Sequence, residues 1–154
     1  MVFPYTPPTV TRFPVKGIVT LCGSNRFSKT FDYIAQELNV NMWIALRPSF
    51  YNDAQLYHNK PEIKKRLDII HMSKIEIGEL IIVINTDALN IVQYARKPYY
   101  IGESTRNEIS YARKIGRKVV WLSCTKEMLD NGIFQLEDMT YKEFNEMYTK
   151  SKKK

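Results

Sequence analysis

The chain has 154 residues, 44% of them hydrophobic, a length and composition that favour one domain around a single core. Its longest apolar run, Leu80–Ile84, is far shorter than the roughly 20 residues that cross a bilayer, and the N-terminus lacks a charged-then-apolar signal, so we expect a cytoplasmic protein without membrane contact. The formal net charge is +7, but four of the 23 basic residues lie in the segment 150–154 and the known nucleic-acid-binding motifs are absent, which argues against a nucleic-acid partner.

The first third of the chain predicts an arm followed by a strand, a helix and a second strand. Residues 1–16 contain four prolines, which remove amide donors and favour an irregular or strand-like arm. Residues 17–22 form a short β-rich apolar run that predicts a strand buried on both faces. Over residues 27–38, apolar side chains recur every three or four positions, which predicts an amphipathic helix. Residues 42–46 predict the second strand.

The middle of the chain predicts a loop, a long helix and the clearest strand of the sequence. Residues 47–60 are polar and irregular, as in a loop over the surface. Pro61 suits the first position of a helix that runs to about Ile77, and the strand Leu80–Ile84 follows it. The residues predicted to form the inner face of this helix are Ile63, Leu67, Ile70, His71, Lys74 and Ile75.

The last part of the chain predicts one more helix–strand pair and a helical end. Residues 87–101 form a long connection, residues 105–115 a helix that Gly116 stops, and residues 119–122 a fourth strand. One or two further helices are expected to pack against the core through four apolar residues. These are Phe134, Tyr141, Phe144 and Met147.

The alternation of strands and helices predicts an α/β fold. Strands joined by helical crossovers run parallel, with helices on both faces of the sheet. We therefore expect a single-domain, doubly wound, flavodoxin-like or Rossmann-like sheet of four to five mostly parallel strands. The predicted organisation is an arm over residues 1–16, the α/β domain over residues 17–149 and a basic tail over residues 150–154.

The turn after the first strand is a candidate binding loop. In open parallel sheets, ligands bind beyond the carboxyl ends of the strands, near the point where the strand order reverses. Gly23 would let the backbone approach a ligand, and the amides at the start of the following helix could hold a phosphate or a sugar hydroxyl. The alternative is that Gly23 only makes the turn and Ser24 only caps the helix.

A second candidate site opens the helix after the third strand. Residues 103–108 bring together two hydroxyl residues, an arginine and two carboxylates at a helix N-terminus, which favours anionic or oxygen-rich ligands. Glu108 also has a structural interpretation. Thr105 and Glu108 have the spacing of a capping box, in which the glutamate accepts from the amide of the capping residue.

The histidines and cysteines carry weaker signals. His71 lies near the end of the second helix, where a lone histidine is more often a core residue than a catalyst, so both interpretations stay open. Cys22 and Cys124 belong to no CxxC pair and to no ligand-spaced histidine cluster. The sequence therefore predicts reduced thiols and no metal site.

Three segments together resemble the nucleoside 2-deoxyribosyltransferase superfamily, and more closely a branch of its bacterial and phage members. These segments are residues 22–26, 80–85 and 102–112. The most specific part is a glutamate near the start of the third helix with a small residue four positions later, here Glu108 and Ala112. The similarity extends over about residues 17–122, most of the chain.

The resemblance implies that Glu108 is the nucleophile of a deoxynucleoside-cleaving enzyme, which would act as a homo-oligomer with shared active sites and without a metal or redox cofactor. It also implies substrate contacts from the loops after the first and third strands. The residues so implicated are Cys22, Gly23, Ser24, Arg26, Asn85, Gly102, Ser104 and Thr105.

Two features depart from the family pattern. Where many members carry an aspartate on the helix before the third strand, this chain has His71, which could still protonate a departing base because its ordinary pKa lies near neutrality. The connection 87–101 is longer than the family's, and the second glycine pair of the phosphate loop is missing after Arg26.

The resulting hypothesis is cleavage of the N-glycosidic bond of a (deoxy)nucleoside or its 5′-monophosphate. A carboxylate suits this reaction because the sugar develops positive charge, which Glu108 would stabilise and then trap as a covalent glycosyl intermediate. Water or a second nucleobase would resolve the intermediate, giving a hydrolase or a transferase. The alternative is a nucleotide-binding or sensing module without turnover, in which Glu108 caps a helix and His71 belongs to the core.

Overall fold

The computed structural model describes residues 13–49, 60–87 and 100–151, with side chains described as far as Tyr148. In chain order its elements are β1 (Gly17–Gly23), a 3-10 helix (Asn25–Phe27), α1 (Ser28–Val40), β2 (Trp43–Leu46), α2 (Pro61–Ile77), β3 (Leu80–Ile84), α3 (Glu103–Lys114), β4 (Lys118–Trp121), α4 (Lys126–Asp130), β5 (Met139–Thr140) and α5 (Tyr141–Ser151).

The strands form one sheet in the order β2-β1-β3-β4-β5, and every neighbouring pair is parallel. This is the doubly wound, flavodoxin-like arrangement that the alternation of strands and helices predicted. The strand order reverses between β1 and β3, since the chain first passes outward to β2 and then returns beyond β1. Cys22 lies beside Val83 and Gly23 beside Ile84 in this register, so the carboxyl ends of β1 and β3 are adjacent.

Helices cover both faces of the sheet, and each face has its own core. On one face α1 and α5 pack against alternate strand residues such as Leu21 and Ile82. On the other face α2, α3 and α4 pack against the intervening residues, such as Cys22 and Val83. Successive side chains of a strand point to opposite faces. Cys22 therefore points into the layer that α2 and α3 form.

The predicted elements correspond closely to the observed ones. The second helix and the third strand have the predicted bounds. β5 was not predicted, because it has only two residues, and it pairs with the end of β4. None of the helices in the described part of the chain combines the length and apolarity needed to cross a membrane.

Some predicted segments lie wholly or partly outside the described residues. Of the N-terminal arm, only residues 13–16 are described, and the amide of Lys16 donates to the carbonyl of Met42 over 2.8 Å. Residues 50–59 and 88–99, in the two predicted long connections, also lie outside. At the other end, α5 continues to Ser151 and so enters the predicted basic tail.

The packing predicted for the last helix was right for Tyr141 and Phe144, which are buried, and wrong for Met147, which is 54% exposed. Tyr141, Phe144 and Tyr148 contact the same core cluster. Their spacing of three and four residues fills the face that α5 turns to the sheet, which leaves Met147 beside that face.

The inner face predicted for α2 was only half right. His71 and Ile75 are buried, but Ile70 is 51% exposed and every residue from Pro61 to Ile70 is at least partly exposed. Length is the reason for about the first six residues, because a 17-residue helix spans about 25 Å whereas the five-residue β3 spans about 17 Å. Ile70 lies within the length of β3 and is exposed because the helix turns the side with His71 and Ile75 to the core. The end of α2 leads into the start of β3, so the surplus at the start of α2 extends past the carboxyl edge of the sheet.

Asn85, which directly follows β3, ties the end of this strand to the end of β4. Its Oδ1 accepts from the amide of Ser123 over 3.0 Å, and its Nδ2 donates to the carbonyl of the same residue over 2.9 Å. The side chain is fully buried beside Met128. These contacts assign Asn85 a structural role, and its predicted contact with substrate stays a prediction.

We expect Asn85→Ala to lower the free energy of unfolding by about 1–3 kcal/mol, because it leaves the partly buried amide and carbonyl of Ser123 without their side-chain partner. Urea denaturation of both proteins measures the loss. Asn131→Ala, at an exposed position after α4, is the matched control and should change stability by no more than about 0.5 kcal/mol. Equal small effects at both positions would contradict this account.

Candidate active site

Three ionisable side chains from three elements meet near the carboxyl ends of β1 and β3. His71 Nε2 lies 3.6 Å from Cys22 Sγ and 3.4 Å from Glu108 Oε1. Cys22 is fully buried, His71 is nearly so, and the Glu108 side chain is 14% exposed. We call these residues the Cys-His-Glu cluster. The structure thus brings together the two predicted catalytic residues and one of the predicted binding residues.

Local sequence explains why each side chain points inward. Cys22 follows Leu21 on a strand and so faces the opposite side of the sheet, towards α2 and α3. On α2, His71 and Ile75 are one turn apart and are the buried positions of that helix. On α3, Ala112 lies one turn after Glu108 and is fully buried, and its small side chain allows the helix to approach the sheet closely.

The capping-box interpretation of Glu108 is wrong. α3 begins at Glu103, with Gly102 as its capping residue, so Thr105 and Glu108 lie inside the helix. A capping box requires its glutamate three residues after the cap, whereas Glu108 is six residues after Gly102. The helix begins two residues earlier than predicted, which carries Glu108 into the second turn and turns its carboxyl group towards His71.

Glu108 separates the buried cluster from an open cleft of about 240 Å³. The side chains around this cleft come from α2, between Lys64 and Met72, and from the first two turns of α3. They are Lys64, Asp68, Met72, Glu103, Ser104, Asn107 and Glu108. Lys64 Nζ pairs with Asp68 Oδ2 at 3.1 Å along one side. A ligand in the cleft would therefore meet Glu108 before reaching His71 or Cys22, which do not line it.

Burial drives the groups of the cluster towards their neutral forms. Desolvation, with a smaller contribution from the charge of Asp68, raises the pKa of Glu108 to about 8. Desolvation and the nearby Lys74 lower the pKa of His71 to about 4, against the opposing effect of Asp68. Burial, and then the Glu108 charge, also raises the pKa of the Cys22 thiol. At neutral pH the cluster therefore holds a carboxylic acid, a neutral imidazole and a thiol.

The polar atoms of the cluster are poorly paired. Glu108 Oε2 and His71 Nδ1 are buried and have no hydrogen-bond partner among the described residues. The contact between Glu108 and His71 is longer than the usual 2.7–3.2 Å of a strong hydrogen bond. Buried polar groups left without good partners are costly to a fold, so they mark places where a ligand or a reaction supplies the missing interaction.

The predicted loop after β1 lies near the cluster, but none of its residues lines the cleft. A Cβ at Gly23 would be 2.5 Å from the carbonyl oxygen of Ile84, so glycine allows β1 and β3 to approach each other. Ser24 Oγ accepts from the amide of Arg26 and caps the 3-10 helix. The guanidinium of Arg26 stacks on Tyr100, 3.5 Å from the ring centre. Ser24 thus caps the helix as the structural alternative expected, and Gly23 ends β1 in close contact with β3. Ligand contact from Gly23, Ser24 and Arg26 stays a prediction.

The three residues predicted on the other loop occupy different environments. Ser104 is exposed and lines the cleft, whereas Thr105 is buried within the first turns of α3. Gly102 caps α3 beside Tyr100, whose hydroxyl would lie 3.3 Å from a Cβ at this position. Of these three, only Ser104 is placed to meet a ligand in the cleft.

Sequence analysis missed the cleft residues of α2, whereas those of α3 lie in the predicted segment 103–108. The missed residues, Lys64, Asp68 and Met72, recur every four positions along α2. That period was a usable signal, because residues four apart lie on one side of a helix. The prediction for α2 used the spacing of its apolar residues and not that of its polar ones.

Comparison of the chain with protein-family models and with curated proteins found no match.

We expect the free energy of unfolding to fall as the pH rises from 7 to 8, measured by urea denaturation with EDTA present. Folded Glu108 keeps a proton up to a pKa of about 8, whereas the unfolded side chain has lost it near 4.5, so the folded state binds more protons in this range. His71 is mainly neutral in both states there, because its pKa is about 4 in the fold and ordinarily 6.5.

Glu108→Gln should remove most of this slope, since glutamine does not titrate. Glu103→Gln, an exposed glutamate on the same helix, is the matched control and should keep it. A slope that is unchanged in Glu108→Gln would show that the carboxyl group of Glu108 is not buried in its protonated form.

Proposed function

We propose that this protein cleaves the N-glycosidic bond of a (deoxy)nucleoside or a (deoxy)nucleoside 5′-monophosphate, with Glu108 as the nucleophile and His71 as its proton partner. One observation carries the proposal. The buried carboxyl group of Glu108 lies 3.4 Å from the His71 imidazole, and Glu108 is also one of the residues that line an open cleft. The resemblance of residues 102–112 to the nucleoside 2-deoxyribosyltransferases supplies the substrate class.

The proposed reaction begins with one proton shared by the pair. With a pKa of about 8 for Glu108 and about 4 for His71, a single proton is held between these values. Transfer of that proton from Glu108 to His71 yields a carboxylate and an imidazolium. Positive charge that develops on the sugar would favour this form, because it stabilises the carboxylate at the moment of attack.

Bond making and breaking then follow a double displacement. The Glu108 carboxylate attacks the anomeric carbon, the bond from the sugar to the nucleobase breaks, and the base leaves with the proton that His71 delivers. In the second half, water or another base attacks the glycosyl-enzyme ester and releases Glu108. Two inversions at the same carbon give overall retention of configuration.

Oligomerisation and a cytoplasmic location belong to the same proposal. α2 presents Ile69 and Ile70, both more than half exposed. Apolar residues of this kind are suited to a contact with a second copy of the chain. The resemblance implies shared active sites, which would require such a contact.

The competing function is a nucleotide-binding or sensing module without turnover. That interpretation gave Glu108 a capping role, which the start of α3 at Glu103 contradicts, and placed His71 in the core. Burial of His71 agrees with it, but contact of the imidazole with an ionisable pair does not distinguish a core residue from a catalyst. Turnover distinguishes the two functions.

We expect Glu108→Gln to reduce base release by at least about 1,000-fold, because the amide keeps the shape of the side chain and cannot act as the nucleophile. The assay incubates the protein with a panel of deoxynucleosides and deoxynucleoside 5′-monophosphates and detects free base by chromatography. Glu127→Gln, an exposed glutamate on α4 that does not line the cleft, is the control and should keep most of the wild-type rate. Near-normal turnover in Glu108→Gln would reject Glu108 as the nucleophile.

We expect His71→Asn to invert the alkaline part of the pH profile. In the wild type, kcat/KM should decline as the pH rises past about 8, because the pair loses the proton that the departing base needs. With asparagine, only ionisation of Glu108 remains, so the residual rate should increase through the same range. The measurement is kcat/KM against pH with one substrate.

The control for this experiment is a substrate whose base leaves readily without protonation, and His71→Asn should affect its cleavage little. Parallel pH profiles of kcat/KM for the wild type and His71→Asn, or equal losses of activity with both substrates, would show that His71 has a purely structural role.

A further inference from the structure

We propose that Cys22 Sγ, His71 Nε2 and Glu108 Oε1 together form a binding site for one Zn²⁺ ion. The three residues belong to β1, α2 and α3, and one ligand atom from each of them lies within 4.8 Å of the other two. The site goes beyond the glycosidic-cleavage proposal and does not depend on it, because metal binding requires only these three ligands.

The geometry of the cluster matches zinc coordination. Zinc bonds are about 2.3 Å to sulfur and about 2.0–2.2 Å to nitrogen and oxygen, so tetrahedral angles separate sulfur from nitrogen by about 3.6 Å and nitrogen from oxygen by about 3.4 Å. The observed separations are 3.6 Å for Cys22–His71 and 3.4 Å for His71–Glu108. In the remaining pair, Cys22 Sγ lies within 4.8 Å of a carboxyl oxygen of Glu108, and zinc coordination requires a separation of about 3.6 Å.

Hydrogen bonding accounts poorly for the same arrangement. His71 Nε2 faces both a thiol and a carboxyl oxygen, yet an imidazole nitrogen either donates one proton or accepts one with its lone pair. The separation between His71 Nε2 and Glu108 Oε1 exceeds that of strong nitrogen–oxygen hydrogen bonds, and Glu108 Oε2 has no partner in the described part of the chain. A cation between the three atoms would be contacted by each of them at once.

The ligand types select zinc. A thiolate and an imidazole favour borderline-soft ions such as Zn²⁺, whereas Mg²⁺ and Ca²⁺ prefer sites made of oxygen. Charge balance supports the same ion, since Zn²⁺ with one thiolate and one carboxylate is neutral overall and suits a buried position. Binding releases the thiol proton of Cys22 to solvent, together with the carboxylic proton where Glu108 carries one.

The cleft gives the ion a route from solvent, because Glu108 lines it and is the least buried ligand. Coordination would occupy the Glu108 oxygen that the proposed reaction needs. If that reaction is correct, Zn²⁺ inhibits it, and the cluster switches between a metal-bound and a catalytic state. This consequence rests on the proposed function, whereas the binding site itself does not.

The test is a titration of the tag-free full chain with Co²⁺, which replaces Zn²⁺ and has visible absorption. We expect one equivalent to produce a thiolate-to-cobalt charge-transfer band and the intense visible bands of tetrahedral cobalt, and Zn²⁺ to abolish both. Cys22→Ser should lose the charge-transfer band and at least about tenfold in affinity. Cys124→Ser, which changes the other cysteine and leaves the cluster intact, should behave as the wild type.

Two further variants keep the test decisive if Cys22→Ser fails to fold. His71→Asn and Glu108→Gln should each weaken Co²⁺ binding at least about tenfold while the thiolate band remains at high metal concentration. Zn²⁺ should raise the melting temperature of the wild type and of Cys124→Ser more than that of these variants. Absence of the bands in the wild type, or unchanged binding in His71→Asn and Glu108→Gln, would overturn the site whether or not nucleosides are cleaved.

Discussion

Reversal of the strand order between β1 and β3 is the constraint on which the site depends. The chain leaves β1 through α1 on one face of the sheet and reaches β3 and β4 through α2 and α3 on the other. Residues at the end of β1 that point to this second face therefore meet α2 and α3 directly. Cys22 is such a residue, and His71 and Glu108 are the ionisable side chains that the two helices turn towards it.

Burial at this point determines the chemistry available to the cluster. Two carboxylate oxygens, two imidazole nitrogens and a thiol share a space in which isolated charges are expensive, so each group shifts towards its neutral form. A nearby positive charge would favour the anionic forms of the carboxyl group and the thiol. A developing positive charge on a sugar and a bound divalent cation both supply such a charge, which is why one set of side chains supports two proposals.

The cleft has a separate origin, in the difference in length between α2 and the strand that follows it. The helix extends beyond the carboxyl edge of the sheet, and α3 begins at the same edge. Their polar sides face the space above the cluster and supply Lys64, Asp68 and Asn107. Glu108 belongs to both regions, since its backbone lies in α3, its carboxyl group contacts His71 and part of its surface lines the cleft. Glu108 is thus the residue that the cleft and the cluster share.

Periodicity in the sequence determined the order of strands and helices, and with it the doubly wound fold. Elements with strong patterns, such as α2 and β3, were predicted to the residue, because apolar spacing reflects local geometry that neighbouring residues fix among themselves. The sequence also identified Glu108 and His71 as candidate catalytic residues, but it did not predict that their side chains would be in contact. They are 37 positions apart in the chain, and Cys22 is a further 49 positions from His71.

Only the tertiary structure decided which polar residues became a site. It showed that Cys22 joins the cluster, that Asn85 bonds to the backbone of Ser123, and that α3 begins early enough to exclude a capping box. The physical reason is that burial, partner choice and pKa depend on groups brought in from distant parts of the chain. Local sequence specifies the direction of a side chain along its own helix or strand, whereas what that side chain meets is fixed by how the elements pack.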